Sequence, residues 1–242
     1  MSHKIIPFIR NHDQTAAQQA EYYMDIFGDQ AQITKTNPVV VTFKIYDQIL
    51  ATLNGGEHPG AILNPSINFS LWINDESETK KIRDRLSDGG STLMPFDVYP
   101  RSPAYGWCND QYGVSRQVMY TPGKPSNQLI PSFMFIGQNN GKTAEAMEYY
   151  TSIFPASKII STHPYGDNPM GENPTHFAHA EFELVHQLFI ALDSGQDHQF
   201  QFNDGVSLLV STDGQEETDY YWEKLTADGG HEVQCGRCKD KF

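Results

Sequence analysis

The sequence predicts an α+β protein made of two copies of one domain, each copy reading β-α-β-β-β twice. Three repeated blocks predict it. Ala20-Glu21-Tyr22-Tyr23-Met24-Asp25-Ile26-Phe27 returns as Met147-Glu148-Tyr149-Tyr150-Thr151-Ser152-Ile153-Phe154. Ser87-Asp88-Gly89-Gly90 returns as Ala227-Asp228-Gly229-Gly230, and Gly106-Trp107-Cys108-Asn109-Asp110-Gln111-Tyr112 returns as Gly236-Arg237-Cys238-Lys239-Asp240-Lys241-Phe242. Blocks in one order at a nearly constant offset mean tandem duplication of a unit of about 120 residues, too long for a solenoid turn and right for a domain. The expected boundaries are a first domain over 1–120, a linker over 121–127 rich in Pro, Gly and Ser, and a second domain over 128–242.

The first copy opens with Ile5-Ile6-Pro7-Phe8-Ile9, a short apolar run between polar residues and therefore a strand. Asp13 or Thr15 can cap a helix to about Phe27, because Ala16, Ala20, Tyr23, Met24 and Phe27 share one helical face. Val39 to Tyr46 and Gln48 to Leu53 are β-rich runs joined at Asp47, a hairpin. The pattern then restarts with a strand over Ile67 to Ile73. Asp75-x-x-Glu78 is a capping box that starts a helix to about Asp88, and Gly89-Gly90 supplies the left-handed stop. Thr92 to Tyr99, Ala104 to Asn109 and Val114 to Tyr120 complete the set.

The second copy repeats the scheme, with Thr143, Met147, Tyr150, Thr151 and Phe154 on one helical face and Thr212-x-x-Gln215 as a second capping box. It reaches Phe242, the counterpart of Tyr112, without a match to Gly113–Tyr120, so the second domain is expected to lack its last strand, either because the sequence is truncated or because its sheet is left incomplete.

These elements resemble the PhnB-like branch of the vicinal oxygen chelate superfamily, which includes glyoxalases, bleomycin resistance proteins and dioxygenases. The resemblance rests on the opening Ile6-Pro7-Phe8, the Ala20–Phe27 helix, Phe177-Ala178-His179-Ala180-Glu181-Phe182, and the run Gly106 to Ser115, which closes in Asp110-Gln111-Tyr112-Gly113-Val114-Ser115. It covers essentially the whole chain, twice. It implies tandem glyoxalase-like domains, each of two βαβββ modules forming a cupped mixed sheet with helices on the convex side. Members of this branch are often labelled 3-demethylubiquinone-9 3-methyltransferase. Methyl transfer is not expected from the residues, because no glycine-rich turn joins a strand to a helix in the way that holds a nucleoside cofactor. The superfamily also implies a divalent metal, held on the concave face by His and Glu from the first, fourth, fifth and last strands, and acting as a Lewis acid on paired substrate oxygens.

Carried onto this sequence, those positions are degenerate. Pro7 stands for the first-strand His, Asn54 for the fourth-strand Glu, Asn68 for the fifth-strand His and Gln117 for the last-strand Glu, with Ser70 and Trp72 beside Asn68 and Ser115 and Met119 beside Gln117. Proline offers no donor atom and neutral amides are weak ligands for divalent metals. No metal and no cofactor are therefore expected. Amides both donate and accept hydrogen bonds, so Asn54, Asn68 and Gln117 could orient a small polar molecule against Trp72, or could simply satisfy one another. In the second copy Pro131 repeats the proline, Gly205 replaces the fifth-strand His, and Asp193 is the one ionisable residue at a ligand position. His179 shares a strand face with Glu181 and Glu183, an arrangement suited to proton transfer. His163 and Tyr165 are assigned to a loop that could reach the mouth of the cup. The candidate ligand-binding set is thus Asn54, Asn68, Trp72, Gln117, His179 and Asp193. Trp107 and Trp222 are read as packing. Cys235-Gly236-Arg237-Cys238 lies between strand-like segments, where a reactive thiolate has no helix N-terminus to stabilise it.

The leading functional expectation is a small-molecule-binding protein whose exact activity and ligand are open. The alternatives are a metal-dependent lyase, isomerase or dioxygenase using His179 and Asp193, and a non-catalytic structural or interaction protein. The formal charge of −13 disfavours nucleic acid and anionic membrane as partners. No apolar run is long enough to span a bilayer, no signal peptide is apparent, and three cysteines make no disulfide framework, so a cytoplasmic location is expected. A sheet lacking its last strand leaves an edge that invites pairing, which makes a homodimer plausible.

Overall fold

The computed structural model describes residues 4–56, 58, 60–99, 102–168 and 171–242. Four modules follow one another. The first is β1 (Ile5–Asn11), α1 (Ala16–Phe27), β2 (Ala31–Thr36), β3 (Val40–Ile45) and β4 (Gln48–Asn54). The second is β5 (Ile67–Ile73), α2 (Glu76–Ser87), β6 (Ser91–Tyr99), β7 (Ser102–Asn109) and β8 (Ser115–Tyr120). The third is β9 (Gln128–Ile136), α3 (Thr143–Ile153), β10 (Lys158–Pro164), β11 (Phe177–Leu184) and β12 (Gln187–Ser194). The fourth is β13 (Val206–Val210), α4 (Gln215–Thr226), β14 (His231–Glu232) and β15 (Cys238–Lys239). The α+β class and the doubled βαβββ scheme are as the sequence predicts.

The compact units are not the same partition as the two repeats. The larger unit is Ile6–Met134 with His198–Leu209, and the smaller is Met1–Ile5, Phe135–Asp197 and Val210–Phe242. In the larger unit one sheet has the order β13-β1-β4-β3-β2, and a second strand set runs β9-β5-β8-β7-β6. β1 pairs parallel with β4, and β5 parallel with β8, which puts Ser70 opposite Gln117. β9 pairs antiparallel with β5, which puts Ser132 opposite Asn68. The opening strand of each second-repeat module therefore lies beside the opening strand of a first-repeat module. Hydrophobic burial holds this arrangement: Tyr23, Phe43, Phe69, Leu71, Ile73, Leu86 and Val118 are fully buried in one cluster with α1 and α2.

In the smaller unit β10-β11-β12 form a meander, with Phe182 stacked on Phe189 at 5.6 Å between ring centres. β14 and β15 form a short hairpin. The Cys235–Cys238 segment is its turn: Cys235 has φ of +61°, Val233 N donates to Arg237 O, and all three cysteines are free.

Three local expectations change. β2 is a strand the sequence hides, because it is mostly exposed and shows no alternation of burial. The Thr212 capping box does not form. α4 starts two residues later, with Gly214 as its N-cap, whose φ of +92° suits glycine, and the Thr212 hydroxyl bonds Thr218 instead. Asp75 does cap α2, accepting from Glu78 N at 2.7 Å, while the Glu78 carboxylate turns to Asn127. Trp222, expected in the core, is half-buried and donates to Glu232, and Tyr221 is the buried residue of α4.

Candidate functional site

The strand registers decide which residues share a face. In the larger unit Phe69, Leu71 and Val118 face the core with Ile82 and Leu86 of α2, so Asn68, Ser70 and Trp72 of β5 and Ser115, Gln117 and Met119 of β8 lie on the helix-free face. Cross-strand pairing adds Tyr105 and Trp107 of β7 and Ser132 and Ile130 of β9 to that face.

A hydrogen-bonded row crosses it. Gln117 Nε2 donates to Asn68 Oδ1 at 2.9 Å, Tyr105 Oη donates to Gln117 Oε1 at 3.1 Å, and Asn68 Nδ2 donates to Pro65 O at 3.1 Å. Trp107 Nε1 donates to Ser115 Oγ at 2.7 Å. Burial pushes the Tyr105 phenol well above its ordinary pKa, so it stays protonated and donates. Asn68, Ser115 and Ser132 are all buried, and the Ser132 hydroxyl has no hydrogen-bond partner. Trp72 is buried beneath Lys124, whose ammonium lies 4.3 Å from the ring centre.

Of the six sequence-predicted residues, the structure thus brings Asn68, Gln117 and Trp72 onto one face. Asn54 is elsewhere, because β4 belongs with β1 in the other sheet of the unit. Its Oδ1 accepts Ala16 N at 3.0 Å and its Nδ2 donates to Pro38 O, so it caps α1, which Thr15 does not do. Pro7 shares the buried face of β1 with Ile9 and Asn11, and Asn11 bonds Gln19 of α1. Pro131 pairs with Phe69 on the core side. The proline positions therefore face the helices, and Ser132 holds the helix-free position on β9.

Asp193 and His179 occupy opposite faces in the smaller unit. Asp193 receives Gly141 N at 2.9 Å, Thr143 N at 3.2 Å, Thr143 Oγ1 at 2.8 Å and Phe177 N at 2.9 Å. It is the N-terminal anchor of α3, as Asn54 is of α1, and is not paired with His179 as a ligand set. His179 does share its face with Glu181, 3.3 Å away, and lies directly across from His163, with 6.0 Å between ring centres. His163 belongs to β10 and not to a loop, and Tyr165 spends its hydroxyl on Asp193 O.

Tyr105, Trp107 and Ser132 are the site residues that sequence reasoning misses. Alternation along β7 would have put Tyr105 and Trp107 together, but only the β9–β5 register places Ser132. The metal that the superfamily implies does not fit this face. Its side chains are neutral amides, hydroxyls and indoles, and among the described residues no group of three His, Cys, Asp or Glu is placed to hold an ion.

The most specific motif proves structural. Asp110 is buried and accepts Tyr23 Oη at 2.7 Å, Tyr112 N and Val114 N at 3.0 Å each, and Arg116 Nε at 3.4 Å. Arg116 is fully buried between the rings of Tyr23 and Phe69, 4.7 and 4.8 Å from their centres. Burial raises the Asp110 pKa against the opposing pull of Arg116.

Comparison with known proteins places the fold. Glyoxalase I from Zea mays is 12% identical over 95% of this chain and 81% of its own, with a TM-score of 0.59. A PhnB protein from Bacillus cereus is 26% identical over 49% of this chain and all of its own, with a TM-score of 0.45. A glyoxalase-related enzyme from Fulvimarina pelagi is 17% identical over 50% of this chain and 94% of its own, with a TM-score of 0.39. No curated protein matches the chain. Among the described residues no helix is long and apolar enough to cross a membrane. The family model described as 3-demethylubiquinone-9 3-methyltransferase matches twice, over residues 3–119 and 127–242, and the chain belongs to that family.

Proposed function

We propose that the protein binds a small, uncharged polar molecule on the helix-free face of β5, β7, β8 and β9. The observation that carries this reading is the buried Ser132 hydroxyl, which lacks a partner and stands directly across from Asn68 at the end of the Asn68–Gln117–Tyr105 row. A buried hydroxyl left unpaired costs about 1–3 kcal/mol, and a bound hydroxyl or carbonyl group relieves that cost. Trp107 flanks the row with flat apolar surface suited to a ring or carbon skeleton. The row supplies orientation, and its one ionisable group, the Tyr105 phenol, stays protonated, which favours binding over acid–base or metal chemistry.

Two measurements test it. A thermal-shift screen of uncharged hydroxyl- and carbonyl-bearing metabolites is expected to find stabilising compounds whose effect is lost in Gln117→Leu and Ser132→Val. Titration of metal-free protein with Zn²⁺, Ni²⁺, Mn²⁺ and Fe²⁺ is expected to show no site on this face. Stoichiometric metal whose affinity falls in Asn68→Ala and Gln117→Ala would overturn the reading in favour of a metal-dependent enzyme.

The His163, His179 and Glu181 group in the smaller unit supports a second reading, proton transfer on a polar substrate. A bell-shaped activity profile that loses its acid limb in Glu181→Gln would select it.

A further inference from the structure

An open strand edge is a template for another chain, and natural edges are blunted by charge, proline or bulges. β2 and β13 are the edges of the first sheet, β6 ends the second strand set, and β10 ends the meander. β2 carries Lys35 and a register shift beside it. β6 carries Pro95, Asp97 and several register shifts. β10 carries Lys158, Pro164 and register shifts near both ends. β13 has none of these devices. It reads Val206-Ser207-Leu208-Leu209-Val210, and no charged residue falls between Asp204 and Asp213.

The bonds that tie β13 to β1 show which of its groups face outward. Gly205 O accepts Arg10 N at 3.0 Å, and Ser211 N donates to Lys4 O at 2.8 Å. Both bonds fit one antiparallel register, so no bulge intervenes. Backbone groups of a strand alternate between its two edges. Ser207 and Leu209 therefore turn their N–H and C=O to β1, and Val206, Leu208 and Val210 turn theirs to the open edge. Leu208 is 37% exposed and Leu209 43%. β5, which holds the place of β13 in the first repeat, is paired on both sides, with β8 and with β9, and is buried along almost its whole length.

We propose that β13 pairs antiparallel with β13 of a second copy of this chain, about a two-fold axis through Leu208. In that register Leu208 faces its own copy and Val206 faces Val210, so the outward N–H and C=O groups of all three meet donor to acceptor. The directly opposed side chains on that face are apolar on both sides. A formal charge of −13 makes most surfaces of one copy repel another, and this edge does not. Asp204 falls opposite Thr212, and Asp213 opposite Asn203, so no two carboxylates are set against each other. A two-fold pairing closes on itself and stops at a dimer.

The test is size-exclusion chromatography with light scattering on the full chain, and a dimer is expected. Leu208→Lys sets two ammonium groups across the axis, and Leu208→Pro removes the outward N–H without touching the bonds to β1, so each should give a monomer. A cysteine probe keeps the proposal falsifiable if either variant disturbs folding. In a chain carrying Cys235→Ser and Cys238→Ser, Leu208→Cys should form a covalent dimer under mild oxidation, because directly bonded antiparallel residues lie about 5.5 Å apart at Cα, within disulfide reach. Ile160→Cys, on the exposed edge β10, should not. A monomer at every concentration would overturn the proposal and leave the edge to an extended segment of another protein. A dimer that cross-links no better through Leu208→Cys than through Ile160→Cys would overturn it as well.

Discussion

The corner that closes the first repeat and the corner at Asp240 start from the same parts and differ in depth. Tyr22, Tyr23 and Tyr112 form one aromatic cluster, with 5.3 and 5.5 Å between ring centres, and Tyr149, Tyr150 and Phe242 form its counterpart at 5.3 and 5.6 Å. Tyr23 donates to Asp110, and Tyr150 donates to Asp240 at 2.6 Å. Tyr22 caps a carbonyl near the end of α2, and Tyr149 does the same for Lys224 O of α4. The difference is Arg116, which makes the first corner a buried ion pair, whereas Asp240 is half-buried and bonded by Tyr150 Oη and Phe242 N. The helix and the loop carry the tyrosine–aspartate anchor by themselves. The cation comes with strand β8.

That comparison breaks most clearly at the aspartates. Asp110→Ala leaves Arg116 buried without its partner and is expected to cost about 3–5 kcal/mol, against about 1 kcal/mol for Asp240→Ala, read from urea midpoints. Equal costs would show that Arg116 is satisfied by its two rings alone.

Helix anchoring gives the next largest contrast. Asp193→Ala removes three hydrogen bonds to backbone N–H groups and one to a hydroxyl, and is expected to cost about 2–3 kcal/mol. Asn54→Ala removes one cap and one carbonyl contact, and about 1 kcal/mol is expected. Should Asp193→Ala prove as mild as Asn54→Ala, water has replaced the carboxylate.

The tyrosines sharpen the comparison through pH. Burial raises the phenols of Tyr22, Tyr23, Tyr46, Tyr105 and Tyr150 above their ordinary value, and that of Tyr149 to about 12. A raised folded-state pKa contributes stability that is complete below the unfolded value near 10 and is lost as pH rises above it. The urea midpoint is therefore expected to fall steeply above about pH 10, while absorbance at about 295 nm shows these phenols ionising only on unfolding. Tyr23→Phe should flatten that fall, with Tyr150→Phe doing so to a similar degree.

The smallest contrast is between cysteines. Burial pushes the Cys108 thiol up to about 11, whereas Cys235 lies exposed in the β14–β15 turn. A thiol reagent at neutral pH is expected to label Cys235 first and to leave Cys108 intact until the protein unfolds.

Much of this was legible in the chain. Period-two runs placed β5 and β8, and the Asp75 cap and Gly89-Gly90 bounded α2, because each of these signals is local. The doubled blocks announce two copies, and the restart of the pattern at Ile67 divides each copy into two modules. Alternation also put Asn68, Ser70 and Trp72 on one face, since β5 is buried on both sides and its polar residues stand out. What stayed hidden depends on partners far away in sequence. The cap of α1 comes from Asn54 and that of α3 from Asp193, and a strand-end amide or carboxylate looks the same whether it faces a ligand or a helix. An exposed edge such as β2 carries no burial pattern to read. Most of all, the sequence determined the modules but not which modules share a sheet. Tertiary pairing put β9 against β5 and β13 against β1, and so brought Ser132 to Asn68 and separated Asn54 from Gln117. Each module presents an open strand edge that any other could cover, and only the packing of the whole chain selects among them.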